Sequence, residues 1–277
     1  MRKSFCHQEA PLIVAVIKEA NVRAMLSAVR NAEVRGAAAV DLHLSCLSRE
    51  EQQEEKLKEL FDGIRLPAMA LHYAFDDKGK PYDIDEEERT GILRCAVHAG
   101  ASCIDLQAYS FDRPVKDAFD ERYIGAPYSF AAYRPREVVL DPAVIERQDA
   151  LIDEVHDLGA EVLISTHFGK MLPCDAVVDY ACFLEKRKPD AIKLVAFSEN
   201  EEDIYEGART MIKLKENVQT TVHYQIAGVN TRISRIINPL LGSYLIFCND
   251  GYKEGADPNQ PDLSVVKGIL DGIARVR

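Results

Sequence analysis

The chain has 277 residues, 47% of them hydrophobic and 29% charged, with 34 Lys and Arg against 45 Asp and Glu for a net charge of −11. This composition argues against disorder or a fibrous repeat and suits one good-sized core, and the length accommodates a single α/β barrel. The acidic balance argues against a nucleic-acid or anionic-membrane surface, because phosphate contacts need clustered Lys and Arg, so small molecules are the expected partners.

The first apolar run, 12–17, is too short for a secretory core or a membrane span, and a soluble protein is expected. Similar strand-length runs recur at 38–44, 68–73, 102–107, 162–166, 191–195, 219–224 and 243–247. Between them, helical periodicity covers 22–34, 50–61, 86–99, 142–158, 176–186 and 200–214, with Asp85-Glu86-Glu87-Glu88 matching the dipole of a first helical turn. Eightfold strand–helix alternation is the pattern of an α/β fold of the (β/α)8 type, the TIM barrel, with one domain spanning the chain. A doubly wound sheet is the competitor, but no G-x-G-x-x-G follows an early strand. Seven cysteines, Cys6, Cys46, Cys95, Cys103, Cys174, Cys182 and Cys248, are scattered without a C-x-x-C pair, which points to a reducing cytoplasm and gives no zinc signal.

In such a fold the chemistry sits at the C-terminal ends of the strands. There the chain places Asp41-Leu42-His43, His72-Tyr73, Asp105-Leu106-Gln107, His167, Lys193 and His223-Tyr224. Period-two alternation puts Asp41 and His43 on one face, and likewise Asp105 with Gln107. Lys193 lies within an apolar run, where a charged amine is costly; surroundings that favour its neutral form would make it a nucleophile toward carbonyl carbon. A Schiff-base enzyme is the reading this supports, against a lysine whose stem packs while its ammonium reaches solvent. Any one of these histidines taken alone reads as structural, but a ring of polar groups at one set of strand ends is hard to explain as packing. Asp41, His43, His72, His167 and His223 offer nitrogen and oxygen ligands, yet no H-E-x-x-H-like spacing supports a metal, and neither metal nor cofactor is expected.

Residues 109–140 form an insertion with four Tyr, three Phe and four Arg, among them Arg134 and Arg136. Its aromatic content argues against disorder, and two roles compete: covering the site while supplying an arginine, or packing a subunit contact.

From about residue 11 to 266 the order of motifs resembles the type I 3-dehydroquinate dehydratase family, the Schiff-base dehydroquinases. The resemblance rests on Val40-Asp41-Leu42-His43, Ile104-Asp105-Leu106-Gln107, Ile164-Ser165-Thr166-His167 and Ile192-Lys193-Leu194, then on the stretch from Ala227-Gly228 to Ile233-Ser234-Arg235, on Gly242-Ser243 and on Asp257-Pro258-Asn259-Gln260. It implies a class I aldolase-like barrel and a carbon–oxygen lyase of the shikimate route, with Lys193 forming an imine with a cyclic keto acid. It also implies His167 as general base and acid, Gln107 as the residue orienting His167, and Asp41, His43, Arg235 and Gln260 as substrate-binding groups. A homodimer is the default it carries. The chain departs from the family pattern where Gln107 and Asp41 replace glutamates, His43 and Ala74 replace arginines, and Ala256 replaces a serine. These departures leave two alternatives to dehydration of 3-dehydroquinate: an imine-forming lyase or aldolase acting on a different keto acid, and a catalytically weakened barrel that binds a metabolite.

Overall fold

A computed structural model describes residues 2–76, 79–229, 231–251 and 256–276; Asn230, within the 227–235 stretch, lies outside the described residues. Among the described residues, eight strands alternate with eight α-helices: β1 (Leu12–Ile17), α1 (Val22–Val34), β2 (Ala39–His43), α2 (Glu54–Asp62), β3 (Ala68–Leu71), α3 (Glu86–Ala99), β4 (Cys103–Gln107), α4 (Pro142–Asp157), β5 (Glu161–His167), α5 (Cys174–Glu185), β6 (Ala191–Ser198), α6 (Asp203–Asn217), β7 (Thr221–Gly228), α7 (Thr231–Leu241), β8 (Leu245–Asn249) and α8 (Leu263–Ala274). One sheet runs in the order β7-β6-β5-β4-β3-β2-β1-β8, so each strand pairs with its neighbour in sequence and β1 also pairs with β8. This is the connectivity of a (β/α)8 barrel.

The local causes are legible. α1 buries Val22, Met25, Ala28, Val29 and Ala32, a helical stripe, and the Asn21 side chain caps it by accepting from Ala24 N–H. Asp85 caps α3 through Glu88 N–H, and Gly100, at φ +122°, ends it. β2, β3, β4 and β8 are buried at every position, as parallel strands covered on both faces require.

Several boundaries differ from those the sequence predicts, and three elements show the physical cause. α2 starts at Glu54, because Glu51 and Gln52 N–H bond Ser48 O and the Gln52 amide donates to Leu44 O and Leu47 O, which fixes a turn before the helix. β7 begins at Thr221, because the N–H groups of Gln219 and Thr220 both go to Glu185 Oε1, and it continues to Gly228, which pairs with Ser198. β8 reaches Asn249, whose N–H bonds Pro261 O.

The chain folds as two compact units. The first comprises Met1–Ile104, Leu158–Ala160 and Leu245–Arg277; the second comprises Asp105–Asp157 and Glu161–Tyr244. In the second, the insertion after β4 forms short 3-10 turns at Arg113–Lys116, Glu121–Tyr123 and Ser129–Tyr133. Its aromatic residues pack within the chain: Phe130 is buried and meets Tyr180 and Phe183 of α5, with Tyr128 stacked on it. Asp179 of α5 accepts from both Ser129 N–H and its hydroxyl.

Gly228 closes β7 at φ +89°, and a Cβ there would lie 2.3 Å from Ser198 O. Gly228→Ala meets backbone that cannot move aside as a side chain would. Urea unfolding is expected to show a loss of roughly 2–4 kcal/mol.

Candidate active site

The strand register of the second unit arranges its polar side chains in two levels. Ser165 pairs with Lys193, and Lys193 with His223; two residues on, His167 pairs with Val195, and Val195 with Gln225. On β4, Asp105 takes the lower level, because Ser165 Oγ donates to its Oδ1 at 2.5 Å.

Lys193 is buried, and its Nζ lies 3.4 Å from Oδ2 of Asp105, which is itself fully buried. A buried ammonium facing a buried carboxylate avoids the several kcal/mol that either charge would cost alone. Gln107, also fully buried, donates its Nε2 to Asp105 O at 2.9 Å and to Asp105 Oδ1 at 3.2 Å. The Asp105 carboxylate thus collects a hydroxyl, an amide and an ammonium.

His167 stands at the upper level with its side chain one-third exposed. Its Nδ1 lies 2.9 Å from Oε2 of Glu137, which also accepts from the His167 backbone N–H at 2.7 Å. The family resemblance sets Gln107 beside this ring; in the structure Glu137 meets Nδ1, and the Gln107 amide donates to Asp105. Glu137 was not singled out in the sequence, where it sits in Arg136-Glu137-Val138 without period or motif.

On the far side of Lys193, His223 Nε2 lies 3.0 Å from Gln225 Oε1, and Ser243 Oγ lies 2.9 Å from His223 Nδ1. Gln225 Oε1 also accepts from Arg235 of α7 at 3.0 Å, and Arg235 is buried. Arg235 Nε also reaches Thr231 Oγ1 at 3.4 Å, and a planar guanidinium fork can grip a carboxylate.

Arg134 forms an exposed pair with Glu121 at 3.3 Å. Arg136 instead lies along Gly169, two residues past His167, where an added Cβ would come within 2.6 Å of its Cδ. Arg136 thus borders the histidine's own loop.

The remaining predicted residues belong to the first unit. Asp41 and His43 face each other, Oδ2 to Nε2 at 3.4 Å, and His43 packs edge-on to Tyr73. Gln260 follows a turn at Asp257, and its carbonyl accepts from Asn249 Nδ2. Asp41 Oδ1, Gln260 Oε1, Gln52 Oε1 and His72 Nε2 are buried acceptor atoms with no hydrogen-bond partner among the described residues. Ala74, where an arginine was expected, is fully buried. Among the described residues no group of three His, Cys, Asp or Glu is placed to hold a metal.

His72 is pushed down to about 4 from 6.5, first by burial and then by the neighbouring Arg89 guanidinium. Between these values the unfolded chain binds a proton that the folded chain does not, so this group makes stability fall as pH drops from 6.5 toward 4. His72→Asn is expected to lessen that acid dependence by up to about 3 kcal/mol, read as the difference in urea stability between parent and variant across the window.

A (β/α)8 fold carrying a buried, carboxylate-paired amine inside one strand, where the sequence had set it at a strand end, and an imidazole at the end of the adjacent strand has the groups to handle a carbonyl compound. The model of the type I 3-dehydroquinase family matches residues 13–275, and the chain belongs to that family, whose members are carbon–oxygen lyases. Solved structures carry the same fold. The 3-dehydroquinate dehydratase of Geobacillus kaustophilus HTA426 superposes with a TM-score of 0.76 at 12% identity, over 99% of this chain and 97% of that one. The type I enzyme of Clostridium difficile, solved with covalently modified comenic acid, gives 0.74 at 15% identity, over 97% and 94%. The Enterococcus faecalis enzyme gives 0.70 at 15%, over 96% and 95%. No curated protein sequence matches the chain.

Proposed function

We propose that this chain dehydrates 3-dehydroquinate to 3-dehydroshikimate through an imine on Lys193. The observation that carries the reading is the buried Lys193–Asp105 pair on β6 and β4, with His167 one level above on β5. Lys193 Nζ attacks the ketone carbon, whose oxygen leaves as water, and the protonated imine draws electrons from the adjacent carbon. His167 takes the α-proton from that carbon and returns it to the departing β-hydroxyl, which leaves as a second water. Hydrolysis of the imine restores the ketone and frees the lysine. Asp105 balances the positive charge that the nitrogen carries as ammonium and again as iminium, so the site need not reorganise between them.

Arg235 binds the substrate carboxylate in this scheme. Asp41, His43 and Gln260 are ligand-binding groups by the family resemblance, and Asp41 Oδ1 and Gln260 Oε1 are buried acceptors with no hydrogen-bond partner among the described residues. Gln107 fixes the Asp105 carboxylate, to which its amide donates, and the orienting role toward His167 that the resemblance gives it stands beside that bond. His43 holds its Nε2 3.4 Å from Asp41 Oδ2. The retained lysine, acid partner and histidine favour this reading over a barrel that only binds a metabolite, since binding alone needs none of the three together.

The chain works as a cytoplasmic homodimer in this proposal. Every cysteine among the described residues is free of disulfides, which suits a reducing compartment. Exposed Tyr205, Ile212, Ile233 and Leu240 on α6 and α7 supply apolar surface for a second copy. Among the described residues no helix is long and apolar enough to cross a membrane.

Purified protein incubated with 3-dehydroquinate should generate the ultraviolet absorbance of a conjugated enone. Its absence, with the protein folded, sinks the assignment of this substrate.

A further inference from the structure

The family resemblance places the acid that orients the histidine at the end of β4, and this chain has Gln107 there. A carboxylate at 107 would stand beside the buried Asp105 carboxylate and repel it; the amide instead donates to Asp105 twice. With Asp105 committed to Lys193, the acid for His167 has to come from elsewhere.

We infer that Glu137, at the end of the insertion, is the positioning residue for His167: it fixes the imidazole with its proton on Nδ1 and the basic lone pair on Nε2. The inference rests on the proposed role of His167 as proton carrier.

Four observations carry it. The Glu137 side chain is buried, with one oxygen shared between the backbone N–H and Nδ1 of His167, a two-point grip that sets both the position and the rotation of the ring. A carboxylate accepts only, so the Nδ1 it meets must bear the hydrogen. The Glu137 backbone adopts φ +58°, a left-handed conformation costing a non-glycine residue about 1 kcal/mol. Glycine would sit there more easily, so the side chain is what the position uses. Finally, the surrounding contacts over-determine that backbone: Glu137 O accepts from Tyr180 OH at 3.2 Å and Thr166 Oγ1 at 3.4 Å, Glu137 N–H donates to Val115 O, and Arg136 N–H donates to Phe168 O. At the other end, the buried Gln148 amide ties Ala108 O and Ser110 O to α4. The insertion is therefore a brace that delivers a carboxylate to the site.

The test compares parent, Glu137→Gln and Glu137→Gly, the last relieving the positive φ so that folding is not put at risk by the backbone. For both variants kcat on 3-dehydroquinate is expected to fall about 10–100-fold, as when other orienting hydrogen-bond partners are removed. KM should change less than about threefold, because the lost interaction acts on the chemical step. In ligand-free protein labelled with 15N-histidine, with His167 assigned through His167→Gln, the parent should show the Nδ1–H tautomer and Glu137→Gly a shift toward Nε2–H. Unchanged kcat in both variants, or an unchanged tautomer in Glu137→Gly, overturns the inference. If the parent fails to turn over 3-dehydroquinate, the functional reading fails, while the tautomer comparison still decides the role of Glu137.

Discussion

Lys193→Met removes turnover of 3-dehydroquinate, with a loss on the order of 10^4-fold or more in kcat, comparable to deleting the nucleophile from other covalent catalysts. Methionine keeps the length and apolar stem of the side chain, so the lower level of the site stays filled. It cannot form an imine, and without the iminium the α-proton has no electron sink. The substitution also leaves Asp105, fully buried, without the cation 3.4 Å away, an arrangement that costs roughly 3–5 kcal/mol when one partner of a buried pair is deleted. Folding and catalysis are separated by adding Asp105→Asn to Lys193→Met. The second change removes the stranded charge and should recover stability in urea, while turnover stays absent. Recovery of activity with stability would mean that Lys193 serves the fold and not the reaction.

His167→Ala is expected to lower kcat by roughly 10^2–10^4-fold, the contribution of a positioned proton carrier. Stability should change little, since the side chain is one-third exposed and the backbone N–H of residue 167, which alanine retains, still donates to Glu137. The comparison with Lys193→Met distinguishes the roles. Loss of the lysine eliminates the covalent route, whereas loss of the histidine leaves a slower path in which solvent moves the proton. Equal losses from both would place His167 in imine formation as well.

Much of the fold was legible because its signals are local. β1 and α1 have the predicted bounds, 12–17 and 22–34, and α3 likewise, since period, cap and terminating glycine agree there. The displaced edges have non-local causes: Glu185 draws off the first N–H groups of the predicted β7, and Pro261 extends β8. A run of apolar residues does not report either. Lys193 stood out because charge within an apolar strand is costly wherever it occurs, and His167 because it closes a similar apolar run upstream. The pairing of Asp105 with Lys193 had a partial signal, a strand-end aspartate in need of a counter-ion, but choosing between Asp105 and Asp41 requires the order of strands. Glu137 had none. Its contact depends on a left-handed turn at a residue that is neither Gly nor Asn, at the end of an insertion with no periodicity.

The most direct test of the account is reduction with sodium borohydride in the presence of 3-dehydroquinate, followed by intact-mass and peptide analysis, because hydride converts an imine into a stable secondary amine on the residue that formed it. The account predicts one adduct per chain, located on Lys193 and absent from Lys193→Met. No adduct on folded protein that nevertheless produces the enone, or an adduct on another lysine that persists in Lys193→Met, would contradict it.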